Sequence, residues 1–516
     1  MRTPRPGKGK RDAERIASID RRQFLSLFNA GVAASVLPTF GSAEQARDRP
    51  PNMILIMADD LGYGDLSCYG ATKIATPHCD SIAEKGMRFT DAHTPAGACT
   101  PTRYGAMTGR YGWRTWLKNG VINDRMPLLI EQDRLTIAKM LQTYGYVTGC
   151  VGKWHLGWGK KRDAFQNGVM VPGPLECGFD FFFGVPYSHN SPPSSEVFVR
   201  NRTIVGIKDG ESIMDADVQK RCRRRLADTA IELSKEAVAF VEGNKEKPFF
   251  LYYPTTNVHA PVTPNERFRN KSQMGAYGDY VVEFDWVVGQ ILETLDRLDL
   301  AEATLIFVTS DNGSSNTKDS NQPWRGRKAE IYEGGHRVPF IARWPGNIES
   351  ASTSSETVCL SDLMATFAEL LDFRLGKDAA EDSESFLPAL YGKALRRQRQ
   401  ALVHHSASGM FAVRKGKWKL IEGLGNGYTK FDIHLYGKEA YQLPQIDDVT
   451  GEIHDLSYEP KPFPKAKPGK PEGQLYDMEA DPKETRNVYS ENPEIVAALR
   501  ALLDHYRNAG RSVVRA

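Results

Sequence analysis

The chain has 516 residues, enough for roughly two or three domains around a large core, and is 25% charged and 41% hydrophobic. A formal net charge of +3 leaves no basic excess of the kind that binds nucleic acid or a membrane surface, so neither is expected as a partner. The seven cysteines show no Cys-x-x-Cys or His-rich spacing, which argues against a zinc site.

The N-terminus reads as an export signal. Arg21-Arg22 is followed by Phe24-Leu25, a weakly apolar run to Leu37, and the small residues Gly41-Ser42-Ala43. Charged region, short apolar region and small-residue cleavage site stand in the order of a secretory leader, here of the twin-arginine kind that exports folded protein. Residues 1–43 are therefore set aside from the fold, and a periplasmic or extracellular location is expected, with the export translocon as a partner. The apolar run is too short for a permanent membrane span, and no other stretch is apolar enough for one.

Structure is expected to begin at Asn52–Ala58, a continuous apolar run suited to a strand buried on both faces. It ends in Asp59-Asp60, and the carboxyl end of a parallel strand is where α/β proteins place ligands. The next landmark is Cys99-Thr100-Pro101-Thr102-Arg103, where a helix can run on from Thr102 because proline suits a first helical turn. A thiol at a helix start beside a cation is a candidate nucleophile, and Cys99 is the candidate for the odd cysteine with a separate fate. A short strand at 146–151 runs into Gly152-Lys153-Trp154-His155, where an extended backbone points Lys153 and His155 to one side. The loop Tyr187-Ser188-His189-Asn190 carries several polar tips, and residues 217–244 read as one long helix. A strand at 248–253 leads to His259, a helix spans 277–298, and the strand Thr304–Ser310 ends in Asp311-Asn312. Lys328 precedes Tyr332-Glu333-Gly334-Gly335 and a strand at 338–343.

Helix, buried strand and polar strand end recur, which predicts an α/β fold: a large mixed, mostly parallel sheet between helices. After a helix at 361–371 and a loosened stretch at 376–385, the pattern changes to short alternating strands at 401–405, 410–414, 418–422 and 474–478. These predict a smaller C-terminal antiparallel α+β domain closed by a helix at 493–509, with the Pro/Lys-rich 461–471 as an exposed loop. The domain boundaries expected are 50–385 and 386–516.

Separate loops thus deliver Asp59, Asp60, Cys99, Arg103, Lys153, His155, His259, Asp311, Asn312 and Lys328 to one sheet edge. Carboxylates plus an amide oxygen form a hard-cation site, with Ca2+ or Mg2+ favoured over zinc. Lysines, an arginine and histidines around such a cation suit a tetrahedral oxyanion ester. The residues therefore point to metal-assisted hydrolysis of a phosphate or sulfate ester, with Cys99 as nucleophile or its precursor. They do not choose between the esters.

Cys-x-Pro-x-Arg followed by Thr108-Gly109-Arg110 resembles the signature of the type I, formylglycine-dependent sulfatases, close to the arylsulfatase A type. The surroundings of Asp59-Asp60, Lys153-Trp154-His155, Ser188, Asp311-Asn312 and Tyr332-Glu333 are similar to that family in order, as are Trp418-Lys419 and Leu475-Tyr476-Asp477. Thr102 departs from the family's usual serine, while the motif's Cys, Pro and Arg remain. The resemblance implies an alkaline-phosphatase-like sheet and oxidation of Cys99 to formylglycine by a formylglycine-generating enzyme. It further implies Ca2+, with Mg2+ second, held by Asp59, Asp60, Asp311, Asn312 and modified Cys99. Arg103 would steady the hydrated aldehyde, Lys153, Ser188, Lys328 and His259 would bind sulfate, and Asp311 would serve as base. His259 would protonate the leaving alcohol and His155 would regenerate the aldehyde. The activity implied is hydrolysis of aryl or carbohydrate sulfates, on a sulfated small molecule or glycan. The alternatives are a phosphate or phosphonate ester hydrolase of the same superfamily and a non-catalytic sulfated-glycan binder. Substrate contacts beyond sulfate are expected from His189, Asn190, the Trp113–Trp116 turn, His404 and His405.

Overall fold

In the computed structural model, residues 49–316, 319–396, 399–428 and 470–514 are described. The leader expected at 1–43 and most of the 461–471 loop lie outside them. The strands, in chain order, are β1 (Asn52–Ala58), β2 (Met87–Phe89), β3 (Ala92–His93), β4 (Val147–Lys153), β5 (Phe181–Val185), β6 (Val199–Arg200), β7 (Thr203–Ile204) and β8 (Phe249–Pro254). They continue with β9 (Thr304–Ser310), β10 (Phe340–Arg343), β11 (Ser352–Ser354), β12 (Val358–Cys359), β13 (Leu402–His405), β14 (Phe411–Lys415), β15 (Trp418–Ile421) and β16 (Gln474–Asp477).

Ten strands form one mixed sheet in the order β11-β2-β10-β9-β1-β8-β4-β5-β6-β7, whose centre, β9-β1-β8-β4-β5, is entirely parallel. The apolar run of β1 follows from its place in the middle. Met53, Leu55 and Met57 enter the core on one face, and Ile54, Ile56 and Ala58 enter the core on the other. The helices α1 (Pro77–Glu84), α2 (Cys99–Thr108), α3 (Ile137–Gln142), α4 (Ala216–Cys222), α5 (Thr229–Gly243) and α6 (Gly275–Arg297) cover the sheet, with α1, α5 and α6 sharing one face. After β9 come α7 (Glu333–His336), α8 (Leu363–Leu370), α9 (Leu387–Leu390) and, beyond β16, α10 (Pro493–Asn508). This is the α/β fold that the alternation predicts, with the expected four-stranded antiparallel sheet, β13-β14-β15-β16, towards the C-terminus.

One face of that second sheet buries Val403, Val413 and Leu420 against Leu499 and Leu503 of α10. Its other face packs Ala412, Ile421 and Tyr476 onto Ile331 and Tyr332, beside the polar strand ends of the large sheet. Among the described residues, no helix is long and apolar enough to cross a membrane.

Three local expectations are corrected. Residues 217–244 are not one helix: α4 and α5 are separated at Arg223–Asp228, because Arg224 turns inward to donate to the carbonyl of His189. The strand expected at 338–343 starts at Phe340 and runs antiparallel to β9. Helix α2 starts at Cys99 rather than Thr102. Pro101 then stands within its first turn, where the missing N–H has no helical acceptor to lose.

Candidate active site

The parallel strands β1, β4, β8 and β9 all end at one edge, and their last residues turn into the site. Asp59 and Asp60 follow β1 directly, with Asp60 in the left-handed region at φ 65°. Their backbone is pinned from both sides: Asp59 N–H donates to Asn257 O (2.7 Å) and Leu61 N–H to the Ser310 hydroxyl (2.9 Å). Asp311 and Asn312 follow β9, and Asp311 Oδ1 accepts from Asp60 N–H at 3.2 Å. Asp59, Asp311 and Asn312 are wholly buried and Asp60 nearly so.

Each carboxylate has a cation. Lys153 Nζ reaches both oxygens of Asp59 (2.8 and 3.0 Å), Lys328 Nζ lies 2.8 Å from Asp60 Oδ2, and Arg103 Nη2 donates to Asp311 Oδ2 at 2.6 Å. Arg103 also approaches Asp59 at 3.7 Å and donates to the Lys153 carbonyl at 3.0 Å. Burial favours a neutral Asp60, but Lys328, His259 and Lys153 outweigh it and hold the carboxyl below its usual range. For Asp311, burial and the neighbouring Asp59 prevail over Arg103 and lift it to about 6. Three buried carboxylates thus face three cations, of which Lys153 and Arg103 are wholly buried and Lys328 is half-buried.

Cys99 is the first residue of α2, whose start has no side-chain cap. Its Sγ lies 3.2 Å from His155 Nδ1. His155 Nε2 lies 2.8 Å from the carbonyl of Ile122, which can only accept, so the ring proton sits on Nε2 and the Nδ1 lone pair faces position 99. Burial, with Lys153 and Arg103 nearby, keeps His155 neutral, well below its usual pKa. The Cys99 thiol is pushed up by burial, only partly offset by Lys153 and Lys328, so it donates to His155 as a neutral S–H. The expectation that an extended backbone aligns Lys153 and His155 is corrected. Strand β4 ends at Lys153 and His155 has φ 53°, so a turn, not strand alternation, brings the imidazole to Cys99.

His259 and Ser188 close the opposite side. His259 Nδ1 bonds the Ala260 carbonyl at 2.5 Å and is therefore protonated, leaving Nε2 as acceptor for the Ser188 hydroxyl at 3.3 Å. Nε2 lies 3.8 Å from Asp60 Oδ2. Burial and then Lys328 depress His259 to about 3. All eleven predicted site residues meet at this edge. The wider substrate wall is corrected: Trp113 packs on Tyr111 and Phe411, Arg114 pairs with Asp382, and His404 and His405 are buried in β13. Large aromatic and histidine side chains there fill the seam with the second sheet rather than the pocket.

Several supporting residues gave no sequence signal. Thr100 donates to the His155 carbonyl (3.0 Å) and accepts from Ile122 N–H (3.1 Å), fixing both partners of the imidazole. Ser310 spans Leu61 and the Asn312 carbonyl. Arg224 holds the Ser188–His189 loop through two bonds to His189. The signal that could have found Ser310 is its place at the carboxyl end of β9, next to Asp311.

The donor set fits a hard divalent cation. One oxygen or nitrogen from each of Asp59, Asp60 and His259 lies within 4.8 Å of the others, and Asn312 Oδ1 is buried with no hydrogen-bond partner while its Nδ2 donates to Asp60. A buried amide oxygen without a partner, beside three carboxylates, suits Ca2+ better than a soft metal.

Residues 51–373 match the family model described as Sulfatase. The chain is 34% identical to N-acetylgalactosamine-6-O-sulfatase of Bacteroides thetaiotaomicron, over 88% of this chain and 92% of that protein. It is 32% identical to human arylsulfatase A, over 88% and 87% of the two chains. A solved structure connected with the metabolism of multiple glycosaminoglycans by Bacteroides thetaiotaomicron superimposes with a TM-score of 0.74 at 33% identity, covering 89% of this chain and 100% of that one.

Proposed function

The chain belongs to the sulfatase family, and on that premise we propose that it removes sulfate from a hydroxyl of a sulfated carbohydrate, with Cys99 oxidised to formylglycine and a calcium ion in the site. As a sulfuric ester hydrolase it needs an oxygen nucleophile, an anion cradle and a proton donor to the departing alcohol. Hydrated formylglycine would supply the oxygen nucleophile, and a calcium ion, which Asp59, Asp60, Asp311, Asn312 and modified Cys99 would hold, would add positive charge to the anion site.

The chain's own residues do the rest. Lys153 and Lys328 exchange part of their contact with Asp59 and Asp60 for sulfate oxygens, and Ser188 supplies a neutral donor. Arg103 stays on Asp311 and fixes the orientation of a carboxylate whose pKa burial and Asp59 raise, so that it can serve as a base. His259 Nε2 faces the same space as Ser188, and an anionic ester beside Lys328 and Lys153 offsets the cations that depress it, so it can carry a proton to the leaving oxygen. His155 Nδ1 then removes a proton from position 99, its tautomer locked by Ile122.

The observation that carries this reading is the 3.2 Å approach of a tautomer-locked imidazole to Cys99, inside a cluster of three acids and three cations. The Bacteroides relative named for N-acetylgalactosamine-6-O-sulfate supports a sulfated sugar as substrate. The peptide carrying Cys99, from protein made in a host with a formylglycine-generating enzyme, is expected about 18 Da lighter than the unmodified peptide, the difference between thiol and aldehyde. The same protein should turn over 4-nitrophenyl sulfate in preference to 4-nitrophenyl phosphate. An unmodified Cys99 in active enzyme, or phosphate preferred by orders of magnitude, overturns the proposal. The paired arginines at 21–22 support export to the periplasm or beyond, where such glycans are met.

A further inference from the structure

We propose that Lys419, on β15 of the second sheet, is a positioning residue for the catalytic centre: it fixes the α7 turn, and that turn sets where Asn312 and Lys328 stand. Lys419 is wholly buried. Its ammonium donates to Glu333 Oε1 and to His336 Nε2, each at 3.0 Å, and forms an ion pair with Glu484 Oε1 at 2.7 Å. Glu484 Oε2 accepts the backbone N–H of Glu333 at 2.8 Å, so α7 is held at its first and last residues.

The turn passes that position to the site through backbone alone. Gly335 O accepts from Gly313 N–H at 3.0 Å, and Gly313 adjoins Asn312. A Cβ on Gly313 would stand 1.8 Å from Gly334 O, one on Gly334 would stand 2.5 Å from Gly326 O, and one on Gly335 would stand 2.2 Å from Glu330 O. The loops bearing Asn312 and Lys328 are therefore wedged against α7 with no side chain between them to absorb a shift. Lys328 N–H donates to Ser314 O at 3.0 Å, which ties the two loops together.

A histidine cluster extends the same lock. One ring nitrogen of each of His93, His336 and His404 lies within 4.8 Å of the others, spacing that also suits a metal. The hydrogen bonds assign it otherwise. Lys419 donates to His336 Nε2, so the His336 proton is on Nδ1 and goes to His93 Nδ1 at 3.1 Å, and His93 Nε2–H goes to Asp91 at 2.9 Å. His336 and His404 stack at 3.6 Å and 15°, so their in-plane lone pairs run side by side instead of converging on one ion. The cluster is a hydrogen-bond chain from β15 to β3. Around it Lys419, Arg337 and Arg414 balance Asp91, Glu333 and Glu484.

The inference rests on reading Asn312 and Lys328 as metal and sulfate ligands. Lys419→Met leaves the buried Glu484 without its cation and endangers folding, so the test variant is Lys419→Met/Glu484→Gln, which removes one charge of each sign and leaves Arg337 and Arg414 balancing Asp91 and Glu333. In the full-length protein, stripped of metal and titrated with Ca2+ alone, this variant is expected to need about tenfold more Ca2+ for half of the calcium-induced rise in Tm, in line with other residues that orient metal ligands. Its KM for 4-nitrophenyl sulfate should rise by a similar factor. A folded double variant with calcium midpoint and KM within about twofold of the parent overturns the proposal, as a merely structural role lowers Tm without moving either. Asn312→Ala and Lys328→Ala run alongside. If Asn312→Ala leaves the calcium midpoint unchanged, or Lys328→Ala leaves KM unchanged, the reading of the site fails instead.

Discussion

At Cys99 the decisive fact is which proton sits where. The Ile122 carbonyl fixes the His155 tautomer, and that makes His155 a base towards position 99 and nothing else. His259 has the reverse arrangement, with Nδ1–H spent on Ala260 and Nε2 open towards Ser188. A proton from His259 matters most when the departing alcohol is a poor leaving group. His259→Ala is therefore expected to lower kcat/KM by about 10²-fold or more on a sulfated sugar but far less on 4-nitrophenyl sulfate, whose phenolate leaves unaided. Equal losses on both substrates would remove His259 from the proton-donor role. Charge at the same scale explains why the lysines rest on acids. Asp59, Asp60 and Asp311 balance Lys153, Lys328 and Arg103. A divalent cation held by the acids leaves two positive charges in excess, which is the charge that a sulfate product neutralises.

The strand ends position these residues, and Gly152 shows how little freedom they have. It has φ 133°, and a Cβ there would lie 1.8 Å from Pro254 O on the neighbouring strand β8. Gly152→Ala is expected to destabilise the fold by at least about 2–3 kcal/mol through the forbidden φ and the backbone clash, displacing Lys153 with it. A urea midpoint unchanged from the parent would show that β4 and β8 can part at this point. Elements of this kind were legible because their physics is local: β1, β8 and β9 are continuous apolar runs because both faces are buried, and each ends abruptly in polar residues. The break between α4 and α5 was not legible. No proline or glycine marks it, and its cause is a long-range demand, the inward turn of Arg224 to the His189 carbonyl. The candidate site was read from residue type at strand ends, whereas Thr100, Arg224 and Lys419 act through partners distant in sequence, which spacing does not reveal. His404 and the Trp113 turn misled for the same reason: a histidine pair and a tryptophan-rich turn look alike whether they line a pocket or fill a seam.

Stability of the whole molecule against pH follows from carboxylates whose burial outweighs what their neighbours offer. Asp65, between the Asp60 turn and α6, accepts from Gly62 N–H and the Tyr277 hydroxyl, and burial nevertheless lifts it to about 7. Glu283 on α6 is wholly buried, accepts from Asn265 N–H, and is lifted by burial to about 8. In both, the folded pKa stands above the unfolded value of about 4, so the folded state holds a proton that the unfolded chain releases. Their stabilising contribution is complete below pH 4 and is lost as pH rises through 7 and 8. Asp91 and Glu333 act in the opposite sense: burial disfavours their charge, but His93 and Arg337 around Asp91, and Lys419 and His93 around Glu333, hold both below the usual range. The stability that those two supply is lost on acidification below about pH 4. The two groups together place maximal stability on the acidic side of neutrality, and Tm should fall between about pH 5.5 and 8.5. Asp65→Asn/Glu283→Gln keeps both acceptor oxygens and removes both ionisations. It is expected to flatten that decline and to be more stable than the parent at pH 8.5 by a few kcal/mol, since a tenfold difference in proton affinity between the folded and unfolded chain is worth about 1.4 kcal/mol. Melting curves across the range measure it directly. A parent Tm that holds level from pH 5.5 to 8.5, or a double variant with the same slope as the parent, would show that these carboxyls do not keep their protons in the folded enzyme.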